Sequence, residues 1–323
     1  MEGVRGRSLS KPHRVVKPTL SGLGWLGLWI GLLIPAASTE VEIEFDRSIP
    51  VSDQAKLRSW IDHAANQLSR VGGRFPIDNA TIILHKTDRG RGPVPWARVQ
   101  RYGGEGIHFY INPHYSEQAF VDDWTALHEF SHLLIPYPGN RGIWFSEGLA
   151  SYYQNLLRAR AGVVSPEKAL QDLNAGFERG RKDARRKGRS LAELSPQMWQ
   201  TRSYMRVYWS GAAYFLNVDV ALRQQGQSLD QVIAAFLACC RQQWRRWDEQ
   251  SLIATFDELS GDTLFQQHYE AIIEATDFPS VQDSYRWLGV QTQGRSLRLD
   301  TDDQYHQRRA ALLSWQEEDT TKG

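Results

Sequence analysis

The chain has 323 residues, of which 41% are hydrophobic and 23% charged, with a net charge of +1. That excludes a disordered or fibrous chain and allows one large domain or two small ones. Residues 1–38 carry Arg5, Arg7, Lys11, Arg14 and Lys17 against Glu2, so the remainder has a net charge of −3 and no bulk attraction for nucleic acid or an anionic membrane.

The first 20 residues are basic, and an apolar run from Leu23 to Ile34 follows, closed by Pro35-Ala36-Ala37-Ser38. This is the pattern of a secretory signal peptide cut after Ser38. An uncleaved anchor around residues 20–35 is the alternative, although the run is short beside the roughly 20 apolar residues of a membrane span. Both readings put the rest of the chain outside the cytoplasm, secreted or periplasmic. They admit membrane contact only if the segment is uncleaved.

Residues 41–45 alternate as a strand, and 52–70 carry apolar Leu57, Trp60, Ile61, Ala64 and Leu68 at helical spacing before Gly72-Gly73. Residues 81–85 and 106–112 read as strands. Between them, 87–104 is rich in Gly, Pro and Arg and reads as a loop. From 118 onward the pattern is helical, with segments at 118–135, 146–161, 165–178, 203–225, 228–244, 248–258 and 262–275. The expectation is an α+β domain over 39–290, an α/β part (39–136) followed by a helical part (144–290), with 291–323 as a C-terminal tail. The basic stretch 178–189 reads as a solvated loop or helix end, or as a docking site for an acidic partner or phospholipid. Cys239 and Cys240, the only cysteines, are adjacent and read as two buried thiols on a helix.

His128-Glu129-Phe130-Ser131-His132 is an H-E-x-x-H sequence within the first of these helices. Residues i and i+4 share a helix face, so both imidazoles can reach one ion, and Glu129 can face the same cavity without binding it. A catalytic zinc site has three protein ligands and an open position. Glu147 is the candidate third ligand, in the first turn of a helix with Ser146 as N-cap; the alternative is an acid stabilised by the helix N-terminus. Asp122, Asp123 and Ser151 are candidates for orienting the histidines.

H-E-F-S-H followed by W-F-S-E-G-L-A-S-Y-Y resembles the gluzincins, the peptidase MA-like zinc metallopeptidases, in their aminopeptidase N-like and glycyl aminopeptidase forms. The resemblance implies a thermolysin-like zincin domain, one Zn²⁺ per chain on His128, His132 and Glu147, Glu129 as general base, and a peptide or protein substrate. Tyr208-Trp209-Ser210-Gly211-Ala212 is similar to the Y-x-K-G-A segment of those families. Tyr208 is thereby implied to stabilise an oxyanion, while the aromatic residues at 204, 208, 209, 214 and 215 also suit a helix packed in a core. The chain departs from the pattern in the short spacing of 15 positions from His132 to Glu147, in Ser210, and in the lack of a G-x-M-E-N segment. Glu105, where that segment would lie, reads as part of a turn or as a grip for a substrate amine. A non-catalytic zinc-binding envelope scaffold or chaperone and a zinc amide hydrolase with a non-peptide substrate are the competing functions. The intact Glu129 argues against the first.

Overall fold

The alternation at 41–45 becomes strand β1 (Glu40–Phe45), and the amphipathic stretch after it becomes α1 (Val51–Gly72), ended by Gly73 at φ 71°. The computed structural model describes residues 40–315 apart from 102, 294 and 295; the signal segment expected at 1–38 lies outside them. Then come β2 (Asn79–Lys86), β3 (Trp96–Gln100) and β4 (Gly106–Ile111). The sheet order is β1-β2-β4-β3, parallel except for β3, which runs antiparallel to β4 along one edge. β3 falls in the segment expected to be a loop; Gly and Pro dominate its flanks, and the five-residue strand between them is too short for periodicity to reveal.

The helix expected at 118–135 is broken. α2 (Glu117–Asp122) stops where Asp123 turns extended at ψ 136°, and α3 (Thr125–Ser131) begins afresh, running into a 3₁₀ turn at His132–Leu134. Asp123 accepts a hydrogen bond from the Thr125 N–H at 2.8 Å, so it serves as a cap and not as a partner of a histidine. Phe130 of α3 packs on Phe109 of β4, and Trp60 of α1 packs on Phe109 and on Phe120 of α2. These contacts fix the H-E-x-x-H helix against the sheet.

The helical part comprises α4 (Ile143–Arg160), α5 (Pro166–Lys187), the short α6 (Leu191–Leu194) and α7 (Met198–Thr201), α8 (Tyr204–Gln224), α9 (Leu229–Cys239), α10 (Glu249–Ser260), α11 (Leu264–Ile273) and α12 (Gln282–Leu288). α4 starts three residues before its expected cap: Gly142 holds that position, and Ser146 lies within the helix, buried. The basic stretch 178–189 closes α5, with Gly188 in the left-handed region at φ 59° after Lys187. Arg185, Arg186 and Lys187 thus sit on the negative end of that helix. α9 starts on Ser228, which with Gln231 forms a reciprocal capping box. It ends five residues earlier than expected. There Cys239 and Cys240 are joined as a disulfide, a correction to the expected free thiols. Residues expected as a tail instead contribute a hairpin of β5 (Val290–Gln293) and β6 (Ser296–Leu299) and the helix α13 (Asp303–Leu313), whose Leu312 and Leu313 are fully buried. Among the described residues no helix is long and apolar enough to cross a membrane.

Candidate metal centre

Two glycines set the geometry of the site. A Cβ on Gly148 of α4 would lie 2.3 Å from the Cα of Gly211 in α8, and one on Gly211 would lie 2.1 Å from the carbonyl oxygen of Trp144. Only hydrogen at both positions lets the two helix backbones touch. That contact brings Glu147, next to Gly148, and Tyr208, one turn before Gly211, to the same side of the molecule as α3.

There the three expected ligands converge. Nε2 of His128 is 3.3 Å and Nε2 of His132 is 3.5 Å from Oε2 of Glu147, and the ligand atoms of all three lie within 4.8 Å of one another. Ligands held about 2.0–2.1 Å from a tetrahedral ion stand about 3.3–3.4 Å apart, so the donor set matches zinc. The Glu147 Oε2 atom is buried and has no hydrogen-bond donor, an orphan that a cation at this point would satisfy. His128 Nδ1 is 2.9 Å from Gln154 Oε1, and His132 Nδ1 is 3.0 Å from Ser146 Oγ. With the proton on each Nδ1 donated to these acceptors, both Nε2 lone pairs face Glu147. Neither partner was among those expected from sequence, Asp122, Asp123 and Ser151. Gln154 was findable, because it lies two helical turns beyond Glu147 on the same face of α4. Ser146 was misassigned as a cap.

The site sits in a cavity of about 520 Å³ lined by Glu129, Tyr208 and residues 94–99, which lead into β3, as well as the three expected ligands. Burial would raise the Glu147 carboxyl, but the imidazoles of His132 and His128 outweigh it and hold Glu147 well below the usual carboxylate range. Burial pushes the Glu129 carboxyl up, against the pull of the same two histidines. Tyr208 stacks on His128 with ring centroids 6.1 Å apart, and burial followed by Glu147 drives its phenol well above the usual tyrosine range. It therefore stays protonated and is a hydrogen-bond donor. Ser210, which departs from the family segment, is buried within α8 and bonded to Arg206.

A second set of residues supports the end of α3. Arg241 Nε donates to the Leu133 carbonyl at 2.8 Å, and Arg101 Nη2 donates to the His132 carbonyl at 3.2 Å. Glu105 joins them: Arg241 Nη2 lies 2.9 and 2.7 Å from its two oxygens, and Arg101 Nη1 is 3.2 Å from Oε1. Glu105 is thus occupied by two guanidiniums. No sequence pattern marks Arg101 or Arg241, because their partners are backbone carbonyls about 30 and 110 residues away.

The sequence profile of the M61 glycyl aminopeptidase family matches residues 138–217, the stretch that holds Glu147, Gly148, Tyr208 and Gly211. No curated protein sequence matches the chain. Among solved structures it is similar to an aminopeptidase N family protein from Idiomarina loihiensis, with TM-score 0.57 and 18% identity over 75% of this chain and 46% of that one. It also matches an M1 zinc metallopeptidase from Deinococcus radiodurans, with TM-score 0.47 and 14% identity over 74% of this chain and 48% of that one. The chain spans less than half the length of either structure. The α+β domain described above has the fold of the part of the aminopeptidase N family protein that it matches, as the sequence led us to expect.

Proposed function

We propose that this protein is a zinc-dependent peptidase in which His128, His132 and Glu147 hold one ion, Glu129 is the general base and Tyr208 steadies the oxyanion. The observation that carries this reading is the convergence of Nε2, Nε2 and the orphaned Oε2 beside Glu129 in one cavity. When bound, zinc supplies a Lewis acid and brings a water's pKa down to about 7. The Glu129 carboxylate accepts a proton from the attacking water as its oxygen bonds to the carbonyl carbon. It delivers that proton to the amine nitrogen as the C–N bond breaks. The Tyr208 O–H donates to the carbonyl oxygen as it gains charge.

A peptide is the substrate best suited to the cavity wall. Among the described residues β3 is an edge strand paired with β4 alone, and its residues Trp96 to Val99 line the cavity. A free strand edge offers N–H and C=O groups at the spacing of an extended peptide backbone. On the same reading the chain works outside the cytoplasm, the compartment expected from residues 1–38.

The test compares wild type with Glu129→Gln, both loaded with zinc, on a diverse peptide library read by mass spectrometry. The expected result is one zinc per chain in both and cleavage products only with wild type. Equal products from both would remove Glu129 from the chemistry. None from either, with zinc bound, would refute a peptidase and leave a scaffold or a hydrolase of other amides.

A further inference from the structure

Resting on the zinc-peptidase reading, we infer that the site cuts within polypeptides and not at their amino ends, and selects a bulky aromatic or aliphatic side chain beside the scissile bond. Two independent features of the cavity carry this.

The first is charge. A site that trims amino termini must hold an ammonium group, and a carboxylate is the group that does so. Among the described residues the only carboxylates lining the cavity are Glu129 and Glu147, the general base and the ligand. Glu105 does not line this cavity, and Arg241 binds both of its oxygens and Arg101 one of them. The other charges on the lining are the guanidiniums of Arg98 and Arg101. A free α-ammonium entering here finds no carboxylate beyond the general base and the ligand. A neutral internal peptide group meets the open edge of β3.

The second is the rim. Exposed large apolar side chains gathered at one cleft mark a binding surface, whereas single scattered ones do not. Trp96, Trp124 and Trp199 are 54%, 46% and 60% exposed, and all three line this cavity. Each is braced from behind. Trp96 packs on Tyr110 at 4.6 Å between centroids, Trp124 stands edge-on to His128 at 5.5 Å, and Trp199 packs on Tyr204 at 5.3 Å. Braced indoles lose little conformational freedom when a ligand covers them, so they act as ready-made apolar platforms. Trp124 touches a metal ligand, which places its platform next to the reacting bond.

The full-length, zinc-loaded protein is assayed on decapeptides acetylated and amidated at their ends, identical except for Phe, Leu, Gly or Asp at the centre. Matching peptides with free ends are run beside them. The expected result is cleavage of the blocked Phe and Leu peptides next to the central residue. Their kcat/KM should exceed that of the Gly and Asp peptides by roughly tenfold or more, the scale at which an apolar pocket discriminates. Trp199→Ala should raise KM for the Phe peptide and shrink the Phe-to-Gly ratio, and Trp199→Phe should restore it. A zinc stoichiometry and a thermal melt matching wild type establish that the variants fold. Cleavage confined to peptides with a free amino or carboxyl end would overturn the inference while leaving the peptidase reading intact, as would equal rates on all four centres. No hydrolysis of any peptide, with zinc bound, would overturn the peptidase reading and this inference with it.

Discussion

The contact between α4 and α8 is tested by Gly211→Ala. The added Cβ would lie 2.1 Å from the Trp144 carbonyl oxygen and 2.6 Å from the Cα of Gly148, against 3.4 Å or more for an ordinary contact. The obstacle is backbone, so no side chain can swing away. The helices must separate by about 1.3 Å at this point to restore normal contact with Trp144. Inserting a methyl into a tight core contact costs about 1–3 kcal/mol, and with a rigid obstacle the upper half of that range applies. For a domain of this size each kcal/mol moves Tm by about 2–4 °C, so the variant should melt roughly 4–12 °C lower. A shift of α4 carries Glu147 with it, out of the 3.3–3.5 Å spacing to the histidines. Zinc affinity should therefore fall at least about tenfold, since even the outer partners of ligands are worth about 10–100-fold. Circular dichroism melts and a competition titration against a chelator measure both effects, with Gln224→Ala, exposed at the end of α8, as control. If Gly211→Ala melted within about 1 °C of wild type and bound zinc equally, the close approach would not be what assembles the site.

Ser146→Ala and Gln154→Ala each remove one Nδ1 acceptor from a ligand ring and should lower zinc affinity about 10–100-fold with little change in secondary structure; chelator competition reads this, and unchanged affinity would refute the orienting role. The His128 imidazole, lowered by burial but raised more by its contact with Glu147, holds a proton above its ordinary pKa of 6.5. That proton competes for the metal, so apparent zinc affinity should decline as pH falls through and below neutrality, and a titration flat from pH 8 to about pH 6 would count against it. Cys239 and Cys240 should resist alkylation until treated with a thiol reductant and then take two labels, read as intact mass; two labels without reductant would mean free thiols. Replacing both with Ser should change Tm little, because a loop this small removes almost no freedom from the unfolded chain.

The sequence disclosed those parts of the site whose signal is local. His128 and His132 share a helix face by spacing alone, and Glu147 follows inside a pattern that the family resemblance makes specific. The amphipathic stripe of α1 was legible for the same reason: helical period is written within a few residues. The parts that stayed hidden depend on residues far apart in the chain. β3 has five residues and no clean alternation, and it exists because β4 offers it a partner. The break between α2 and α3 comes from Asp123 capping the second helix, and hydrophobic period cannot show it because the apolar stripe runs on across the gap. Gly148 and Gly211 look like ordinary helix-weakening residues until their helices are seen to touch.

Arg101 and Arg241 show why such distant residues matter to the metal centre. His132 is not in the regular body of α3 but in the 3₁₀ turn that ends it, where carbonyls have no helical partner and the backbone would otherwise fray. The carbonyls of His132 and Leu133 are the ones the two arginines take. Each guanidinium is buried at a cost in hydration, which lowers its pKa, and Glu105 offsets part of that cost for both. The backbone of His132, the expected ligand, is thereby anchored where the helix ends. On this account Glu105, which resembles an exopeptidase's amine-binding residue only by its place in the chain, positions the backbone of a ligand.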